Sequence, residues 1–396
     1  MTIEITELSD DRAEHHWTMC REAFGWPDAF DPARPRLPGD RILVAWEGDR
    51  AVATVGWYET TQFLGGRGLH FGGVTMVTVR PEARGRGLAR ELLAVTFERM
   101  RDAGVVISAL YPTTGRLYRG AGYEMAGMWA KSRVRLAELP GDPLGLDETV
   151  EPTDWDDPTL AEVHETMARR HDGWIVRPQV MWDRFRFDAA AARRPSWMYR
   201  LRRDGATVGW VAYDYGSSDE LIYSVDVRHC FAVDVAALRR MLALVASSSS
   251  TADTATVVLP VPLLALCVEN AQRISRVSDW TWMSRILDAS GAVADRGWPP
   301  GLDVAIPLTL RDPHLPDNDG TFVLVVADGQ GALEPVEGGR ADALEMGIGT
   351  FSAMFTGWAD PFVLAASGAV SGETERRLAS LQACFAGPQP TLVDFF

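Results

Sequence analysis

Residues 77–89 read V-T-V-R-P-E-A-R-G-R-G-L-A, and the fold is decided there. Residues 74–79 form an apolar, β-branched run suited to a buried strand, and Pro81 cannot continue a hydrogen-bonded ladder, so the backbone turns. From Leu88 onward, Leu88, Leu92, Val95 and Phe97 recur at near-helical spacing. Between strand and helix lie Arg84, Gly85, Arg86 and Gly87. Such a turn delivers the unpaired N–H groups of a helix N-terminus to one point. Glycine lets those groups converge without a Cβ in the way, and the helix end adds positive partial charge. Two arginines add formal charge and forked donors, so a diphosphate is the natural occupant. The competing reading is an ordinary strand-to-helix turn with glycines at awkward dihedrals.

At 396 residues the chain is too long for one core of usual size, and two or three domains are expected. Its 46% hydrophobic and 23% charged content describe an ordinary globular protein. A net charge of −15 argues against a nucleic-acid partner and leans towards a cationic one. No apolar run reaches the length of a membrane span, and the N-terminal stretch is acidic rather than a basic signal region. No membrane partner and a cytoplasmic location are therefore expected. Cys20, Cys230, Cys267 and Cys384 are scattered without metal-ligand spacing, which predicts buried thiols and no metal site.

Residues 2–8 alternate like an edge strand, and residues 10–24 suit a helix with Trp17 and Phe24 inward. The loop of residues 26–40, rich in Pro and Asp, is long enough for a lid or substrate wall. Residues 42–46 and 51–58 read as strands joined by E-G-D-R, and residues 105–110 as another buried strand after the helix.

The segment R-x-x-R-G-x-G-L-A resembles the acyl-CoA loop of the GCN5-related N-acetyltransferases (GNATs). The β-α-loop-β-β-β-α-β order of residues 1–135 matches that core, whose fourth and fifth strands splay apart to admit pantetheine. The resemblance implies that the backbone of Val77 to Val79 polarises the thioester carbonyl and holds pantetheine. It implies that Arg84, Gly85, Arg86, Gly87, Leu88 and Ala89 hold the diphosphate. Residues 111–124, Y-P-T-T-G-R-L-Y-R-G-A-G-Y-E, carry the superfamily pattern L-Y-x-x-x-G-F at Leu117, Tyr118, Gly122 and Tyr123. By that match Tyr118 is the candidate general acid and Tyr123 packs; the alternative is that both are core tyrosines with satisfied hydroxyls. Tyr111 stands where many members carry Asn.

Residues 136–158 read as a linker. Beyond it, helices at residues 178–187 and 236–246 and strands at 197–201, 207–215, 221–227 and 256–259 repeat the first order. S-V-D-V-R takes the place of M-V-T-V-R, but R-H-C-F-A-V-D-V follows without glycine or second arginine. Acyl-CoA is therefore expected to bind the first unit alone. The last unit suggests strands at 302–310, 320–327, 331–335 and 341–346 and helices at 348–356 and 373–384, ending in D-F-F.

Two acetyltransferase-like units followed by an α/β tail with an aromatic end resemble the Eis (enhanced intracellular survival) family. The implied fold class is α/β (α+β): two GNAT-type mixed-sheet domains in tandem, the second degenerate, plus a sterol-carrier-protein-like C-terminal domain. The bounds are 1–135, 136–290 and 291–396. The family acetylates amines, including several positions of aminoglycosides and sometimes protein lysines, and commonly forms hexamers. The resemblance also gives the C-terminal carboxylate, here that of Phe396, the role of general base. An amine must lose its proton before attack, the cradle region offers no evident Glu or His base, and D-F-F could pin a carboxylate in a cleft. The alternative is that D-F-F merely anchors the tail, with Glu59 or His70 as base.

The expected activity is transfer of acetyl from acetyl-CoA to a cationic, multi-amine small molecule. Its rivals are a protein-lysine or natural-product acetyltransferase and a non-catalytic acyl-CoA or lipid binder. Residues near Phe71 and in the 26–40 loop would select the acceptor.

Overall fold

The computed structural model describes residues 3–139, 141–191, 197–216, 223–372 and 374–396. In chain order the first part runs β1 (Ile3–Glu7), α1 (Ala13–Phe24), β2 (Ile42–Glu47), β3 (Arg50–Leu64), β4 (Arg67–Val79), α2 (Leu88–Asp102), β5 (Ile107–Leu110), α3 (Gly115–Arg119) and β6 (Glu124–Arg135). Next come β7 (Glu148–Pro152), α4 (Thr159–Ala168), α5 (Gln179–Ala190), β8 (Trp197–Arg203), β9 (Ala206–Tyr215), β10 (Tyr223–Ala232), α6 (Val235–Ala246), β11 (Ala252–Val258), α7 (Val261–Ala265) and β12 (Ser275–Ile286). The last part is α8 (Ala289–Asp295), β13 (Asp303–Arg311), β14 (Gly320–Ala327), β15 (Gln330–Pro335), β16 (Leu344–Gly347), α9 (Ile348–Phe355), α10 (Pro361–Ala366), β17 (Val370–Ser371) and α11 (Glu375–Cys384). Thr2, Leu221, Ile222 and Glu373, which the sequence assigns to elements, lie outside the described residues.

The chain forms two compact units that do not follow its linear order. Residues 1–127, 281–390 and 395–396 make the first, and residues 128–280 and 391–394 the second. In the first unit strands neighbour in the order β1-β2-β3-β4-β5-β12, and a separate five-stranded sheet runs β15-β14-β13-β16-β17. The neighbour of β5 is β12, with Met283 opposite Leu110 and Ile286 opposite Ile107. In the second unit the order is β6-β11-β10-β9-β8-β7, and β11 pairs with β6, Val257 opposite Ser132. Each half of the tandem has thus given its last strand to the other half's sheet.

The core of the first unit explains why these elements form. Leu88, Leu92, Leu93, Phe97 and Met100 share one face of α2 and pack on Val55, Trp57 and Val74 of β3 and β4. The face of α1 differs from expectation. Ala13, His16, Met19 and Cys20 are buried, whereas Phe24 is 40% exposed. The cause lies in the following loop. Trp17 sits 4.8 Å from Trp26 and 6.4 Å from Phe30, and Phe24 stacks on Trp26 at 5.5 Å, so these rings form their own cluster beside the helix. The segment read as a linker contains β7, which pairs with β8 through Val150 and Leu201. Helix α4 and strand β12 have no counterpart in the sequence reading.

All four cysteines are buried free thiols. No helix among the described residues is long and apolar enough to cross a membrane.

Candidate active site

Strand β4 prepares the site by leaving β5 early. Its parallel pairing with β5 covers only Phe71 to Gly73 opposite Ile107 to Ala109. On its other side, the register with β3 slips between Thr78 and Thr75, where Met76 takes φ +54°. A bulge re-aims the strand and frees backbone groups. Val77 and Val79, half-buried, therefore lie on a stretch that β5 does not cover.

The turn beyond has the geometry of an anion nest. Gly85 and Gly87 adopt φ +78° and +85°, and a Cβ on either would meet no atom within 4 Å, so the space above the turn is open. The first helical bonds are made by the Arg90 and Glu91 N–H groups to the Gly87 carbonyl. The N–H groups of Gly85, Arg86, Gly87, Leu88 and Ala89 accordingly donate to no backbone carbonyl among the described residues. Arg84 and Arg86 are exposed; Arg84 Nε donates to the Val79 carbonyl at 3.3 Å, and Arg86 lies 3.3 Å from Glu47. Leu88 is buried and pins the helix to the core. Free N–H groups, positive φ and open space together fit the diphosphate of acetyl-CoA.

The two motif tyrosines part company. Tyr123 is fully buried and shares a 2.8 Å hydrogen bond with Ser108 Oγ, which also donates to the Gly72 carbonyl at 2.8 Å. Tyr118 is 4% exposed, its ring 6.1 Å from that of Tyr123, and its hydroxyl makes no hydrogen bond with any described residue. Burial pushes the Tyr118 phenol up to about 12. The turn carrying it is braced by Arg119, whose Nε and Nη2 both donate to the Glu124 carboxylate at 2.8 Å. Gly122 closes the turn at φ +86°, where a Cβ would fall 1.5 Å from Nη1 of the buried Arg285.

Phe396 packs in the same unit. Its ring lies 6.0 Å from Tyr58, 5.9 Å from Phe71 and 5.7 Å from Tyr111. Phe395 stacks on Tyr111 at 4.3 Å. Phe396 makes no ion pair or hydrogen bond with the described residues. Glu59 and His70 sit differently. Tyr58 faces Gly73 across the ladder and Glu59 faces Gly72, and a Cβ on Gly72 would meet Met100 of α2. Alternation thus sends Glu59 to the opposite face from Phe396. There Arg41 holds it at 2.6 Å and His70 at 3.1 Å. Sequence reasoning missed Tyr58, Gly73 and Tyr111; the only signal was an aromatic chain end needing aromatic neighbours.

In the second unit the corresponding helix end is already filled. Strand β10 runs on to Ala232, and Asp234 caps α6 by accepting the Ala237 N–H at 2.7 Å. A carboxylate there repels a diphosphate.

Residues 4–126 match the acetyltransferase (GNAT) domain family, residues 173–286 a second acetyltransferase (GNAT) domain family, and residues 289–393 the sterol carrier protein domain family. Together with the nest and the splayed strands, these matches make the chain an N-acetyltransferase of the GNAT superfamily, whose fold implies acetyl-CoA as cosubstrate. It is 26% identical over 336 residues to the N-acetyltransferase Eis of Mycobacterium tuberculosis, covering 82% of this chain and 80% of that protein. An uncharacterized N-acetyltransferase of Streptomyces griseus is 25% identical over 346 residues, 80% of each chain. The GCN5-related N-acetyltransferase structure from Kribbella flavida superimposes with TM-score 0.84 at 28% identity, over 100% of this chain and 98% of that one. Eis1 of Mycobacterium abscessus shares the fold, with TM-score 0.83 at 19% identity over the whole of both chains. In sequence the chain is similar to the Eis enzymes among the N-acetyltransferases.

Proposed function

We infer that this enzyme transfers the acetyl group of acetyl-CoA to a primary amine of a cationic, multi-amine small molecule of aminoglycoside type. The observation that carries the chemistry is the buried Tyr118 phenol, whose hydroxyl makes no hydrogen bond with any described residue, in one compact unit with the open glycine turn; the family resemblance supplies the Phe396 carboxylate as the base. The carboxylate takes one proton from the ammonium form of the acceptor. The neutral amine nitrogen then attacks the thioester carbonyl, a C–N bond forms and the C–S bond breaks. The carboxylate, having passed its first proton to solvent, takes the second amine proton, and the departing thiolate takes the Tyr118 proton, which solvent restores. A phenol raised to about 12 stays protonated until the thiolate develops, as an acid must. Backbone groups of Val77 and Val79 would bond pantetheine and polarise the carbonyl.

Multi-amine specificity is supported by the net charge of −15, which favours a cationic partner. An acetyl-CoA consumption screen over aminoglycosides, polyamines, lysine peptides and amino-bearing metabolites tests it, with product masses read for each hit. Multiple acetylation of a polycationic small molecule is the expected result. Turnover on peptides alone would replace the acceptor by protein lysine. By family resemblance a homohexamer is proposed, and sedimentation velocity gives its mass directly.

A further inference from the structure

The turn that carries Tyr118 is held by groups that the chemistry above leaves unused. The Tyr123 N–H donates to the Tyr118 carbonyl at 3.0 Å and the Gly122 N–H to the Arg119 carbonyl at 3.0 Å, so α3 ends in a Schellman turn with Gly122 at its left-handed position. Arg285 of β12 faces Ser108 across the ladder, and its side chain leaves the sheet on the side where Ser108 meets Tyr123. It is 0% exposed, its guanidinium carbon lies 4.8 Å from the centre of the Phe97 ring, and its Nη2 donates to both oxygens of Asp312 at 2.9 and 3.0 Å. Its Nε and Nη1 have no hydrogen-bond partner among the described residues. Nη1 occupies the space that a side chain on Gly122 would take. Asp312 is fixed in turn: its Oδ1 accepts the His314 and Leu315 N–H groups at 3.0 and 3.2 Å, and its Oδ2 accepts from Asn318 Nδ2 at 3.1 Å. The His314 ring reaches the turn itself, with Nε2 donating to the Gly120 carbonyl at 2.8 Å. Residues 312–318 lie within the sterol carrier protein match, and all of these residues belong to the first compact unit.

A buried ion pair adds little net stability, because desolvating both charges offsets their attraction, and buried donors left unpaired subtract from it. What this pair adds is shape. Gly122, without a Cβ, is the loosest backbone position of the turn, and the Tyr118 hydroxyl has no hydrogen bond of its own among the described residues. The place of the phenol is therefore set by its turn. A planar guanidinium with one edge on a carboxylate and one face on a ring has a single resting place, and Nη1 against Gly122 leaves the turn no room to relax inwards. With His314 on Gly120, the loop after β13 grips the turn at two points.

We propose that Arg285, Asp312 and His314 are positioning residues for acetyl transfer: the loop after β13 braces the Tyr118 turn, so the sterol-carrier-like part of the chain aims the general acid. The proposal rests on Tyr118 acting as that acid.

The test compares four full-length proteins: the parent, the double variant Arg285→Met with Asp312→Asn, Tyr118→Phe, and the triple variant that combines them. Removing both charges leaves no lone ion buried, so the fold is expected to survive. Turnover of acetyl-CoA is measured with an aminoglycoside as acceptor, or with a polyamine where the parent prefers it. The acceptor KM, acetyl-CoA binding by calorimetry and hydrogen exchange of the amides of residues 121–123 are measured beside it. The double variant should lower kcat by about 10- to 100-fold, as small misplacements of a reacting group do, with KM and Kd within about two-fold of the parent. Its amides at 121–123 should exchange at least about ten-fold faster. In the Tyr118→Phe background the same two changes should cost no more than about two-fold, because residues that act as one unit are not additive. A general loss of structure would instead lower turnover equally in both backgrounds. Parent-like turnover in the double variant, or its full loss repeated in the triple variant, overturns the proposal. Should the double variant fail to fold, the exposed His314 decides. His314→Ala should lower kcat by about three- to ten-fold, and His314→Gln, whose amide still donates, should bring turnover back to within about two-fold of the parent. Parent-like turnover in His314→Ala overturns the proposal. Full turnover in Tyr118→Phe removes the acid role instead, and the bracing is then judged on exchange at residues 121–123, where parent rates in the double variant overturn it.

Discussion

The ring of Phe396 fills the space that a side chain on Gly73 would need: a Cβ there would lie 2.9 Å from the nearest ring carbon and 3.1 Å from Phe71. Gly73 pairs with Tyr58 on one side and Ala109 on the other, so its backbone cannot yield without disturbing β3 and β5. The mobile partner is the tail. Gly73→Ala should therefore displace Phe396 and lower kcat by about ten-fold or more while the acetyl-CoA Kd, governed by the distant turn, stays within about two-fold. Steady-state kinetics beside calorimetry read both. Unchanged turnover would show that the tail's seat is not part of the machinery.

The two tyrosines should separate by readout. Tyr118→Phe removes an unengaged hydroxyl, so stability should hold while kcat falls about 10²–10⁴-fold, the usual worth of general acid catalysis. Tyr123→Phe removes the bond to Ser108 and should cost about 1 kcal/mol in urea unfolding with little change in kcat. Because burial raises the Tyr118 phenol to about 12, the turnover plateau should extend through pH 10. A decline centred near 10 that vanishes in Tyr118→Phe would contradict the buried environment described for it.

One CoA should bind per chain. The N–H groups over Gly85 to Ala89 are free, whereas the helix end in the second unit is capped by Asp234. At Gly87 a side chain would meet open space, yet φ +85° strains any residue with a Cβ by about 1–2 kcal/mol, and glutamate adds charge facing the diphosphate. Gly87→Glu should abolish binding in a calorimetric titration without unfolding the protein. A stoichiometry of two would place a working site in the second unit.

Stability should fall on mild acidification. Thr54 Oγ1 donates to the Leu43 carbonyl at 2.9 Å and thus accepts from His16 Nε2 at 3.1 Å, which puts a proton on Nε2. Burial lowers the His16 imidazole to about 4. Between about 4 and its ordinary 6.5 the unfolded chain binds the extra proton and the folded chain does not. The contribution is therefore complete above pH 6.5 and declines as pH drops towards 4, by at most about 1.4 kcal/mol per unit. Buried His164 and half-buried His171 and His229 are lowered by desolvation as well and carry the same sign. Urea unfolding at pH 7.5 and 5.0 should show the loss, and His16→Asn should reduce its slope. Equal slopes in parent and variant would mean that His16 titrates normally.

What the sequence determined by itself is chemistry carried within a turn or two. The nest of Arg84 to Ala89 and the Leu117 to Tyr123 motif depend on glycines, arginines and a helix start only a few residues apart, so local spacing suffices to specify them. Most strands and helices were legible for the same reason, each by its own hydrophobic period. Tertiary structure alone decided everything that joins distant residues. The inward face of α1 turned on rings from the following loop, and no periodicity within the helix records that. That β5 would take β12 as its neighbour depends on which exposed edge a strand meets, not on the strand's own pattern. Gly73, Tyr58 and Tyr111 become a seat only when residue 396 arrives, and Arg177 meets Asp394 across 217 positions of chain. Hydrophobic burial rewards any apolar partner of suitable size, so the partner's identity is written in the packing of the whole chain and not in either segment.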